Sequence, residues 1–224
     1  MAALIFDLDG TLVDNVYQHV LAWHGALAEH GFSLSPWRIH RKIGMSGALL
    51  MRALELELGR KIQPDVAKQL EASHTQRMEE MRGSIALFDG VKDLMRELRD
   101  SDVAYAIASS GSMDDIGPYI EWLELEKRVP VLSQADAKST KPDPELFLKA
   151  AERLKVDAED AIVIGDSVWD MLAARRAHFL GVGLLTGGYA ESEMTAAGAY
   201  RVYADPAEFG RRLHEVGVNL REDG

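Results

Sequence analysis

Ala2-Ala3-Leu4-Ile5-Phe6-Asp7-Leu8-Asp9-Gly10-Thr11-Leu12-Val13-Asp14 begins as a short apolar run and turns abruptly acidic. The apolar part reads as a buried strand, and Asp-Gly reads as the turn that ends it. Residues two apart on extended chain face the same side, so Asp7 and Asp9 can converge on one site. A calcium loop of the EF-hand type does not fit: its third acid and distal Glu are missing, and a strand precedes.

Working outward, similar apolar runs recur at 103–108, 129–132, 161–164 and 180–185, with a weaker one at 200–203. Helical periodicity lies between them: Val91, Leu94, Met95 and Leu98 form one apolar face, and Leu146, Phe147, Ala150, Ala151 and Leu154 another. Alternating strands and helices imply a parallel, Rossmann-like sheet covered by helices, an α/β fold. Ligands in such sheets bind at the carboxyl ends of the strands, where Asp7 and Asp9 should sit.

Between the first strand and the second, residues 16–82 read as helical throughout. The spacing predicts helices over 19–28, from Pro36 after an N-cap at Ser35, over 47–58 and over 64–81. Nearly seventy residues is too long for a crossover, so an inserted helical domain is expected over 14–84, with the core formed by 1–13 and 85–224.

Composition narrows the chemistry. The chain has 224 residues, 36 acids against 25 Lys and Arg, a formal charge of −11, and no cysteine. The negative field disfavours nucleic acid and anionic lipid as partners. Absent thiols exclude cysteine catalysis and Cys-based metal sites. No leader or membrane span is visible, and a cytoplasmic protein, monomeric by default, is the expectation.

Three further segments accompany the first acids. Gly165-Asp166-Ser167-Val168-Trp169-Asp170 places more carboxylates at a strand end, with Asp170 one helical turn from Asp166. Clustered carboxylates repel unless a cation joins them, and an all-oxygen donor set suits Mg²⁺. Ser109-Ser110-Gly111-Ser112 opens a helix as an anion cradle, in which Ser112 and Asp115 also have capping-box spacing. Lys141 is held by the two prolines that follow it in Lys141-Pro142-Asp143-Pro144, just before a helix, and can offset charge on a phosphoryl group. Arg175-Arg176 reads as a solvated helix face, and 181–187 as a dinucleotide fingerprint with the wrong spacing. The histidines show no metal-ligand spacing in sequence.

These segments in this order resemble the haloacid dehalogenase superfamily, in particular its members with an inserted α-helical cap, such as phosphoglycolate phosphatases and β-phosphoglucomutases. The resemblance spans essentially the whole chain. It implies that Asp7 is the nucleophile and Asp9 the general acid–base. It further implies that Asp7, the Asp9 backbone carbonyl, Asp166 and Asp170 serve Mg²⁺, and that Ser109, Ser110 and Lys141 hold the phosphoryl group. Asp9 argues against dehalogenation and phosphonate cleavage, since relatives with those activities lack an acid–base aspartate there. His19 and Trp23 match residues that face the cleft in some relatives. Arg41, Lys42, Gly44 and Ser46 are further substrate candidates. The implied activity is hydrolysis of a small phosphomonoester, with a sugar-phosphate mutase as the alternative. Gly47 and Glu71 stand where such mutases carry basic residues, which weighs against that alternative. A pyrophosphatase or a regulatory protein without activity is also admissible on the fold alone.

Overall fold

The computed structural model describes residues 2–45, 47–139 and 141–220. It divides into two compact units, one of Met1–Asp14 with Leu87–Gly224 and one of Asn15–Ala86.

The larger unit is built on a six-stranded sheet. Its strands are β1 (Ala3–Phe6), β4 (Tyr105–Ala108), β5 (Val131–Leu132), β6 (Ala161–Gly165), β7 (Leu180–Leu184) and β8 (Ala199–Tyr203). All pair in parallel, in the order β5-β4-β1-β6-β7-β8. β1 lies in the interior of the sheet, aligned with β4 at Phe6–Ile107 and with β6 at Phe6–Ile164. That position explains its uninterrupted apolar sequence, because both faces of an interior parallel strand are covered. The strands β2 (Val13–Asp14) and β3 (Ala86–Leu87) form a separate two-stranded sheet. They are two residues each, too short to leave a period in the sequence.

The helices of this unit are α5 (Val91–Asp100), α6 (Met113–Trp122), α7 (Glu145–Leu154), α8 (Val168–Arg176), α9 (Glu191–Ala197) and α10 (Pro206–Arg211). On one face of the sheet, Leu146, Phe147, Ala150 and Ala151 of α7 join Ala3, Ile5, Ala106 and Val163 in one core. On β1 the alternate residue Phe6 instead meets Phe209 of α10 and Tyr105 edge-on, at centroid distances of 6.2 and 6.4 Å. α7 ends where Lys155 adopts a left-handed conformation, φ 60°.

The smaller unit carries α1 (Val16–Glu29), α2 (Pro36–His40), α3 (Gly47–Leu58) and α4 (Pro64–Met81). Its own core gathers Val20, Trp23 and Leu27 of α1 with Ile39, Leu50, Leu54, Ile62 and Leu70. Each of α2 and α4 starts on a proline, whose missing N–H costs nothing in a first turn. Ser35 occupies the N-cap position of α2, but its side chain makes no capping hydrogen bond. The fixed φ of Pro36 is therefore the stronger start signal there. Among the described residues, no helix is long and apolar enough to cross a membrane.

Candidate active site

β1 lies between β4 and β6, so the loops leaving these three strands lie side by side at one sheet edge. Asp7 follows β1 directly, and its backbone N–H still donates to Ile164 O at 2.9 Å, continuing the sheet register. The chain then turns at Gly10 (φ 79°), where Gly10 N meets Val13 O at 2.8 Å. Asp9 leaves on the same stretch, and its Oδ2 accepts from Ser109 Oγ at 2.9 Å, across from the end of β4. Gly111 N in turn donates to Ser109 Oγ at 3.0 Å. The loop after β4 is thus fastened to the first acid pair.

Asp7, Asp166 and Asp170 are buried, and each offers a carboxylate oxygen within 4.8 Å of the others. Lys141 lies among them at only 2 % exposure, in contact with Asp7 and 2.8 Å from Asp170 Oδ1. Its ammonium also lies 5.6 Å from the centre of the Phe147 ring, a cation–π contact from α7. Asp170 works twice. Its Oδ2 accepts from Ser167 N at 3.1 Å and Ser167 Oγ at 2.6 Å, closing the capping box that starts α8, while Oδ1 faces Lys141. Thr11 Oγ1 donates to Asp166 Oδ1 at 3.2 Å.

Three buried carboxylates and one buried lysine leave an excess of negative charge. Burial pushes the Asp7 carboxyl up to about 7, with Asp170 and Asp9 adding to the rise and Lys141 opposing it. Asp166 is likewise raised well above the carboxylate range, by burial and then by Asp170 and Asp7. Burial alone would lower Lys141, but Asp170 and Asp7 outweigh it and hold the ammonium above its ordinary value. A buried, oxygen-only, over-anionic cluster is what a hard divalent cation requires, and these residues fit one. Asp9's carboxylate lies outside that triad, and Asp14 is exposed on β2 rather than gathered with it.

Some contacts escaped the sequence. Gly187 ends the turn after β7, and a Cβ there would collide with both the side chain and the backbone of Asp166. Gly165 is equally confined, because a Cβ would run into Asp170. Thr186 Oγ1 donates to Gly10 O at 2.5 Å, tying that turn to the first acidic loop. The segment set aside as a faulty dinucleotide fingerprint is therefore a wall of this site. Its signal was position: glycines at the end of another strand of the same sheet. Arg176, read as merely solvated, is exposed but donates to Pro142 O at 2.6 Å, so α8 holds the lysine loop at a second point.

In the helical unit, His19 Nδ1 lies 3.0 Å from His74 Nε2, and His74 stacks on Trp23 at 4.4 Å. Trp23 belongs to the core of that unit. His74 escaped notice because 55 residues separate it from His19. Lys42 pairs with Glu57 at 2.8 Å, and Arg38 shares the same carboxylate. Arg41 and Gly44 lie in the turn after α2, where Gly44 has φ 92°. Ser46 lies outside the described residues.

A family profile described as haloacid dehalogenase-like hydrolase matches residues 4–182, which include every acid of this site. The chain belongs to that family. Among solved structures, this haloacid dehalogenase-like hydrolase is similar to a hydrolase from Pseudomonas syringae. The two are 42 % identical, with a TM-score of 0.93 over 96 % of this chain and 99 % of the other. Among curated proteins it is 26 % identical to an N-acetylmuramic acid 6-phosphate phosphatase from Pseudomonas putida, over 79 % of each chain. It is 29 % identical to a phosphoglycolate phosphatase from Xanthomonas campestris, over 83 % of each.

Proposed function

We propose that this hydrolase is a Mg²⁺-dependent phosphatase of small phosphomonoesters, working through an aspartyl phosphate on Asp7. The observation that carries the reading is the buried Asp7 carboxylate at a sheet edge, in contact with Lys141 and beside Asp166. A carboxylate is a weak nucleophile towards an anionic phosphate unless surrounding charge is neutralised. The names of the curated relatives, phosphatases of phosphorylated sugars and phosphoglycolate, support the same reaction class.

Asp7 Oδ attacks phosphorus, and the bond from phosphorus to the leaving oxygen breaks. Asp9 gives its proton to the departing alcohol. Asp9, now a carboxylate, takes a proton from water, the water oxygen attacks phosphorus, and the bond to Asp7 breaks, releasing phosphate. Ser109 Oγ donates to Asp9 Oδ2 and holds that carboxyl in place. Lys141 stays protonated and offsets charge on Asp7 and on the phosphoryl group. Asp7, Asp166, the Asp9 backbone carbonyl and supporting Asp170 would hold Mg²⁺, which supplies further positive charge at the phosphoryl oxygens.

The test is a panel of phosphorylated metabolites scored by released phosphate. At least one small phosphomonoester should turn over, with chelator or Asp7→Asn reducing the rate by at least about 10³-fold. Full activity in either condition removes the metal or the nucleophile from the mechanism.

A further inference from the structure

Lys141 is buried with its ammonium against Asp7 and Asp170, yet no regular element carries its backbone. A single turn of 3-10 helix, Gln134–Asp136, precedes it and α7 starts at Glu145. Between the two, no described residue lies in a helix or strand. Lysine has a long flexible stem, so a loose backbone beneath it would let the ammonium leave its carboxylates.

Two side chains anchor this stretch. Arg176 holds its middle through Pro142 O. Glu145 closes its ends: Oε2 accepts from Lys138 N at 2.9 Å and from Ser139 N at 3.0 Å, seven and six residues back along the chain. Glu145 N in turn donates to Asp143 Oδ1 at 3.0 Å. The carboxylate thus ties the entry of the loop to the first residue of α7, with Lys141 inside the closed segment. Two residues further along α7, the buried Phe147 ring faces the lysine ammonium. An acid in the first turn of a helix ordinarily serves the helix dipole, a role that needs charge and no particular partner. Glu145 instead commits one oxygen to two amides of the preceding loop, a role that needs reach.

We propose that Glu145 is a positioning residue for phosphoryl transfer: by clamping Lys138 and Ser139 to the start of α7, it holds Lys141 against Asp7. The kinetic consequence rests on the phosphatase reading above, whereas the clamp itself does not.

Two substitutions separate clamp from dipole. Glu145→Asp keeps the charge but is one methylene shorter. Glu145→Gln loses the charge but keeps the length and an oxygen able to accept both amides. On the Mg²⁺-supplemented full chain, Glu145→Ala and Glu145→Asp should turn over a phosphomonoester at least about tenfold more slowly than wild type, with KM within about twofold. Glu145→Gln should recover most of kcat. A second readout needs no activity: acetylation by acetic anhydride, followed by peptide mass spectrometry with exposed Lys92 as internal reference. Lys141 should react at least about fivefold faster in Glu145→Ala and Glu145→Asp than in wild type or Glu145→Gln. Glu152→Ala, which removes an exposed acid of the same helix, should leave Lys141 protected. Should Glu145→Ala not fold, amide exchange of wild type decides, because Lys138 and Ser139 N–H should exchange at least about tenfold more slowly than free amides. Recovery by Glu145→Asp rather than Glu145→Gln, unchanged Lys141 labelling, or unprotected Lys138 and Ser139 amides overturns the clamp. A wild type that hydrolyses no phosphomonoester, with the labelling pattern as expected, overturns the phosphatase reading and leaves the clamp standing.

Discussion

Removing divalent cations should turn Asp7 into a pH-dependent weakness of the fold. Burial moves its carboxyl from an ordinary 3.8 to about 7. A carboxyl that holds its proton more tightly folded than unfolded favours the folded state at low pH. That advantage is lost as pH rises from the unfolded value through the folded one. Between pH 5 and pH 8 these two values remove roughly 2 pKa units of linkage, about 3 kcal/mol from Asp7 alone. Asp166, raised in the same direction, steepens the fall. Urea unfolding in chelator across pH 5–8 measures it, with Asp7→Asn as the control that has no proton to lose. The gap between variant and wild type should change by about 3 kcal/mol in the variant's favour over that range. Mg²⁺ should restore wild type at pH 8. Parallel stability curves for the two proteins would refute the claim that Asp7 is buried at the expense of its charge.

Three other substitutions probe the same edge. Lys141→Met leaves three buried carboxylates without their cation, and in chelator at neutral pH should cost about 3–5 kcal/mol by denaturant unfolding. Gly187→Ala places a methyl group against Asp166 and should weaken Mg²⁺ binding by at least about tenfold in a calorimetric titration, with little change in secondary structure by circular dichroism. Arg176→Ala frees Pro142 O and loosens the lysine loop. It should lower kcat several-fold with KM nearly unchanged, and Arg176→Lys should recover part of the loss.

The fold was legible where burial is two-sided and long. β1, β6 and β7 are continuous apolar runs because both faces are covered, α3 follows its period, and α2 and α4 follow their proline starts. β2 and β3 were not legible, since two residues carry no alternation. β5 came out shorter than its apolar run, Val131–Leu132 within 129–132, because the pairing with β4 covers only Ile107 and Ala108. In the site, the acids announced themselves through their spacing at strand ends. Thr11, Thr186, Gly187 and Arg176 did not, because each acts through one contact with a distant loop. His74 was hidden for the same reason.

Asp170 starts α8 with one oxygen and faces Lys141 with the other. Protein quality control and catalysis would therefore reject the same substitutions at this position, one for a frayed helix and the other for a misplaced lysine. An Asp at 170 therefore does not by itself separate a chain that folds from one that is active. Asp9, whose side chain starts no helix, is the better gauge of whether such a chain still turns over substrate.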